Sequence, residues 1–257
     1  MMKRLGYNKN FAGAVEAASS TGGQLMPPIM GAAAFLMVEF IGGGITYWDI
    51  AKAAAIPALL YFTGIWIMTH FEAKRLGLRG LSDEEIPKKK EVLAKIYLLL
   101  PILAIVILLM TNVSVMRAAL ISILITVIVS LFRKETRIGF RGCIDALVDG
   151  ARTALSVAVA TACAGIIVGV VTKTGLGLKM ANSLVSIADA ITSHPDFKLF
   201  LTLFFTMIAS LILGMGSPTT ANYVITSTIA APAIILMGVP DLSAHLFVFY
   251  FGIIADI

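Results

Sequence analysis

Residues 213–223 read LGMGSPTTANY and follow an almost wholly apolar run, Lys198 to Ile212. Gly214 and Gly216 give the backbone freedom to turn tightly, while Pro218 removes an amide donor and stops a helix. Ser217, Thr219, Thr220 and Asn222 place side-chain oxygens beside the carbonyls that such a break frees. The run Ser19-Ser20-Thr21-Gly22-Gly23-Gln24, followed by Pro27-Pro28, offers the same chemistry a second time. An oxygen-rich, almost uncharged nest suits a hard cation such as sodium, and the helix N-termini beside it suit an anion. Gly214, Ser217, Thr219 and Thr21 are the candidate sodium ligands. The alternative is a pair of helix kinks whose hydroxyls bond back to their own helix. Glu16 and Asp256, carboxylates inside apolar stretches, are candidates for ion or proton coupling, or for bonding to neighbouring helices. Ser217 with His245 reads weakly as a nucleophile and base. Pro218 departs from a G-x-S-x-G elbow, and the layout places His245 near the outer surface with Ser217 deep, so no catalytic residue is assigned.

The elements that must position these residues are membrane helices. The chain has 257 residues, 58% of them hydrophobic and only 14% charged. Soluble domains carry about 25% charged residues, and several apolar runs here reach the roughly 18 residues that span a bilayer core. The spacing predicts elements at about 11–40 (interrupted at 19–24 and at Pro27-Pro28), 50–70, 93–110, 115–132, 151–172, 197–213, 220–237 and 244–257. An amphipathic stretch, Leu178 to Ile191, is expected at an interface. The net charge of +5 comes from basic residues in the loops between spans, a positive-inside pattern, which argues against nucleic acid as a partner. Cys143 and Cys163 read as small core residues, and Tyr47, Trp48 and Tyr97 as an aromatic belt at span ends. Met215 reads as a gap-filler or gate at the loop.

Basic clusters orient the chain. Lys74 to Lys95 and Arg133 to Arg141 flank the third and fourth spans and share the cytoplasmic side with Lys3, Arg4 and Lys9. The stretch from Lys173 to Asp196 is then outside, so residues 198–237 form either two full spans or a re-entrant hairpin. An internal repeat favours the hairpin. A shift of 232 residues pairs Gly6 with Gly238 and Phe11–Ser20 with Ser243–Gly252, and a hairpin makes the two blocks enter from opposite faces, as in an inverted-topology repeat.

The segments FAGAVEAASSTGGQLMPPIMGAAAF, GMGSPTTANY and AHLFVFYFGIIADI resemble the large permease subunit of tripartite ATP-independent periplasmic (TRAP) transporters. The likeness is strongest to the fused permeases that work with TAXI-type binding proteins. This resemblance implies an all-α, multi-span inner-membrane protein of inverted-repeat, elevator-type architecture. It implies a sodium-coupled importer of an organic acid, with no cofactor beyond the coupling ion. The partners implied are a periplasmic solute-binding protein, a small membrane subunit or fused equivalent, and the lipid bilayer. By the same analogy, Gly214 to Thr220 is the second hairpin tip, and Ser19 to Pro28, with Gly22 and Gly23, the first broken helix. Residues 1–40 would end the first transport-domain repeat, 41–149 would be scaffold helices and cytoplasmic loops, and 150–257 the second repeat. Family members have a hairpin before the stretch resembling Leu5 to Gly23 and a Pro-Pro break after the one resembling Ile253 to Ile257, so the chain is expected to be the middle of a permease. Competing classes are a structural or channel-like membrane subunit and an intramembrane hydrolase.

Overall fold

The computed structural model describes residues 2–78, 80, 93, 95–111, 113–132 and 136–255, and these contain helices and loops but no strand. The helices are α1 (Lys9–Gly22), α2 (Ala32–Ile41), α3 (Tyr47–Arg75), α4 (Leu100–Met110), α5 (Val115–Ser130), α6 (Phe140–Thr174), α7 (Leu176–Ile191), α8 (Pro195–Gly214), α9 (Thr219–Ile229), α10 (Ala231–Ile235) and α11 (Asp241–Ile254). Among them α3, α6 and α8 are long and apolar enough to cross a membrane, and α2, α4, α5 and α11 are shorter apolar helices. Large apolar side chains such as Ile56, Trp66, Met68 and Ile166 point outward. Such exposure is costly in water and costless in lipid.

The chain divides into two compact units, Met1–Gly13 with Trp66–Ala154, and Ala14–Ile65 with Leu155–Ile257. In the first unit α4 and α5 form an antiparallel pair. Its end is tied by Thr136 Oγ1, which donates to the Ser130 carbonyl at 3.2 Å and lies 3.4 Å from Tyr97 Oη.

The second unit is built on small residues. Ala230, Ala231, Ile234, Ala244 and Val248 form its core, with Leu203 and Leu213 packed against them. Small side chains let helices approach closely where no hydrophobic drive separates protein from lipid. On α8 the buried face runs Thr202, Thr206, Ser210, Gly214. The amphipathic stretch is realised as α7, which buries Gly177, Ala181 and Ala188 and is held to α8 by a 2.5 Å Asp189–Lys198 ion pair. Pro232, lacking an amide hydrogen, separates α9 from α10 and leaves the Thr228 carbonyl without its helical donor. Gly177 packs flush against that carbonyl.

The repeat offset holds at the level of secondary structure. Lys9–Gly22 shifted by 232 residues lands on Asp241–Ile254, the bounds of α11. The paired glycines before each helix, Gly6 and Gly238, both have positive φ, 100° and 83°. Both cysteines are free, but Cys163 is exposed on the outward face of α6 and not in a core.

Candidate functional site: two broken elements

The first break separates α1 from α2 and covers residues 23–31. It starts later than the sequence indicates, because Ser19, Ser20, Thr21 and Gly22 all belong to the last turn of α1. Hydroxyl residues do not end a helix; glycine and proline do. The amide of Gly23 bonds the carbonyls of Ser19 and Ser20 at 3.1 and 3.2 Å, and the amides of Gln24, Leu25 and Met26 bond those of Thr21, Gly22 and Gly23. The carbonyls expected to be free are therefore taken up by tight turns.

Beyond these turns, the Pro27–Pro28 peptide is cis, and Gly31 N closes the loop on Gln24 O at 2.8 Å. Tyr47 is buried here instead of sitting in an aromatic belt. Its hydroxyl donates to Pro28 O at 3.1 Å and accepts from Met30 N at 3.0 Å, partners that a loop without ladder bonds must find elsewhere. Tyr61 anchors the other end, its hydroxyl donating to Ala18 O at 2.9 Å, and Gly22 is compact because any larger residue would overlap the Tyr61 ring. Ser20 and Gly23 are exposed, and Ser19 and Thr21 half-buried.

The second break lies between α8 and α9. Gly214 O accepts from Ser217 N at 3.3 Å and from Ser217 Oγ at 3.1 Å, and Gly216 turns the chain at φ 74°. Pro218 opens α9, and its carbonyl accepts from Asn222 N at 2.9 Å. Met215, Gly216 and Pro218 are exposed, Ser217, Thr219 and Thr220 half-buried, and Gly214 and Asn222 buried. Met215 fills no gap: it is 68% exposed at the tip.

Asn222 Nδ2 donates to Gly252 O of α11 at 2.8 Å. A methyl group at Gly214 would lie 2.8 Å from both of those atoms, and one at Gly252 would lie 2.6 Å from Asn222 Oδ1. Gly214, Asn222 and Gly252 thus interlock around one amide. Gly252 was not singled out as a site residue by sequence, although the repeat pairs it with Ser20.

The structure brings Gly214, Ser217, Pro218 and Asn222 together at one break and Ser19 to Gly23 at the other. The two sets are linked through aromatic contacts. Tyr61 meets Tyr250 of α11 edge-on at 6.2 Å, and Phe40 of α2 meets Tyr223 of α9 at 5.8 Å. Glu16 is exposed on α1, and Asp256 lies outside the described residues. His245 is buried among the helices, with Nδ1 2.8 Å from the Tyr223 hydroxyl. Ser217 spends its hydroxyl on Gly214 O instead, so this histidine and serine do not form a nucleophile–base pair.

The oxygens gathered at the breaks are hydroxyl, amide and backbone carbonyl, set in a helical protein whose exterior is apolar. That combination is consistent with a multi-span helical membrane transporter. The profile of the family described as "Tripartite ATP-independent periplasmic transporter, DctM component" matches residues 1–257. The chain belongs to this family, the large permease component of TRAP transporters, whose members work with a periplasmic binding protein and membrane subunits. No curated protein matches the chain.

Proposed function

We propose that the chain serves as the permease component of a sodium-coupled secondary transporter in a bacterial or archaeal inner membrane. It imports an organic acid handed over by a periplasmic binding protein, of the TAXI type, and works beside a small membrane subunit or its fused equivalent. Helix α8, the tip Met215–Pro218 and the return arm α9–α10 act as a re-entrant hairpin. In support, α9 has 11 residues and so rises only about 16 Å, against the roughly 30 Å of a hydrocarbon core, before the proline break. Sodium is carried as a co-substrate on oxygens of Gly214, Ser217, Thr219 and Thr21. The carboxylate of the solute is drawn to the N-terminal end of α9, where backbone amides and the helix dipole favour an anion. Pairing the two ions offsets their charges among the uncharged hydroxyl, amide and carbonyl oxygens of the two breaks. Glu16 and Asp256 are the candidate coupling carboxylates.

The observation that carries this reading is the Gly214–Asn222–Gly252 interlock, which fixes an interrupted, oxygen-bearing backbone inside an apolar protein, where such backbone survives only if buried or lining a wet cavity. The test is uptake of labelled mono- and dicarboxylates into liposomes holding the permease, with its binding protein outside and an inward sodium gradient. Uptake should collapse when potassium replaces sodium, and should be lost in Thr219→Ala and Ser20→Ala with expression intact. Equal uptake in potassium, or unchanged sodium dependence in both variants, refutes the reading.

A further inference from the structure

Tyr223 follows Asn222 directly and is fully buried on α9. Its ring meets Phe40 of α2 at 5.8 Å and Phe249 of α11 at 5.7 Å, both edge-on. Its hydroxyl reaches His245 Nδ1, itself only 8% exposed, at 2.8 Å. A neutral imidazole with its proton on Nε2 accepts the tyrosine hydrogen there. Adjacent residues of α9 therefore grip α11 at two points two turns apart, Asn222 on the Gly252 carbonyl and Tyr223 on His245. One of these grips belongs to the candidate site, and the other stands behind it. The repeat sharpens the point: 232 residues before His245 stands Gly13, so the first helix has nothing equivalent.

We propose that the Tyr223–His245 pair is a positioning latch: it holds the hairpin's return arm, α2 and α11 as one body, and so keeps Asn222 and the Met215–Pro218 tip in the arrangement that binds the coupling ion. This rests on the sodium-coupled reading above. Neither residue touches the ion; they act through Asn222. A loosened latch lets the tip sample arrangements that do not bind, and the apparent affinity drops by the fraction of time the competent one is lost. A side chain with a purely structural role would lower stability and leave the affinity of the surviving folded protein unchanged.

The test uses the permease in nanodiscs and two measurements. Sodium binding is read from sodium-specific thermal stabilisation against a potassium control, and local order from hydrogen–deuterium exchange over residues 219–229. Tyr223→Phe and His245→Ala should each raise the half-saturating sodium concentration about tenfold, the effect of one buried hydrogen bond lost with its partner stranded, and should speed exchange in α9. The double variant should be no worse than either single one. His245→Asn, which places an amide oxygen near the position of Nδ1, should recover most of the sodium affinity. Unchanged exchange in both single variants overturns the latch. So does faster exchange with unchanged sodium half-saturation, or strictly additive losses in the double variant. Absence of sodium-specific stabilisation in the unsubstituted permease would refute the sodium reading instead, and the exchange measurement would then decide whether Tyr223 and His245 hold α9 at all.

Discussion

Replacing Gly214 by alanine tests whether the two helices at the second break are as closely interlocked as the geometry indicates. The added methyl group would meet Gly252 O and Asn222 Nδ2 at 2.8 Å and Ala255 Cβ at 2.9 Å, where ordinary contact begins at 3.4 Å. The gap must therefore open by roughly 0.6 Å in a close-packed interior. Relief is difficult, because one obstacle is backbone and another is an amide already bonded to it at 2.8 Å. Overpacking of this kind costs about 1–3 kcal/mol, and breaking the Asn222–Gly252 bond adds about 1 kcal/mol. At about 2–4 °C per kcal/mol for a chain of this size, the unfolding midpoint of the purified permease should fall by roughly 5–10 °C. Gly216→Ala is the comparison. It has φ 74° but open space around it, so it incurs only the left-handed backbone penalty of about 1–2 kcal/mol. A thermal scan in which Gly214→Ala stays within a degree or two of the parent, or is milder than Gly216→Ala, would refute the interlock.

Other substitutions separate the remaining contacts. Tyr47→Phe strands Met30 N and Pro28 O and should cost about 1–3 kcal/mol in thermal stability. No change would mean that stacking on Phe35, at 4.7 Å, holds the loop alone. Gly177→Ala puts a methyl group 2.8 Å from the Thr228 carbonyl and should destabilise by about 1–3 kcal/mol, read as faster hydrogen exchange in α7. Gly165→Ala meets nothing within 4 Å on α6 and should be neutral or gain up to about 1 kcal/mol of helix propensity in the same thermal scan.

Both breaks were legible because glycine and proline act locally: Gly216 needs its positive φ, and Pro218 and Pro27-Pro28 interrupt a helix whatever surrounds them. The hydroxyls were less legible. In apolar surroundings hydroxyls can return to their own helix, as Thr226 Oγ1 does to Asn222 O at 2.9 Å and Ser210 Oγ to Thr206 O at 2.8 Å. They do not by themselves mark a break, and Ser19 to Thr21 belong to α1 where a break was expected. The residues that fasten the breaks were missed for a different reason. Tyr47 reads as a belt residue and His245 only as a residue near the outer membrane face, and it is the three-dimensional pairing with Pro28 and Tyr223 that shows what each one fastens. A signal for His245 did exist: Ala244, His245, Val248, Phe249 and Gly252 recur at helical spacing, and all are buried.

The internal repeat acquires physical meaning from that same face. Shifted back by 232 residues, His245, Val248, Phe249 and Gly252 correspond to Gly13, Glu16, Ala17 and Ser20, and every one of these is exposed on α1. Two helices of equal length, each preceded by a positive-φ glycine, thus present matching faces, of which one is covered by α8 and α9 and the other is exposed among the described residues. The difference in residue type follows the difference in cover. An apolar valine suits a face sealed by packed side chains, whereas a carboxylate at the equivalent Glu16 keeps its charge cheaply only beside water or a polar partner. The symmetry therefore lies in the backbone, and the chemistry that distinguishes the two halves lies in what each helix is built to meet.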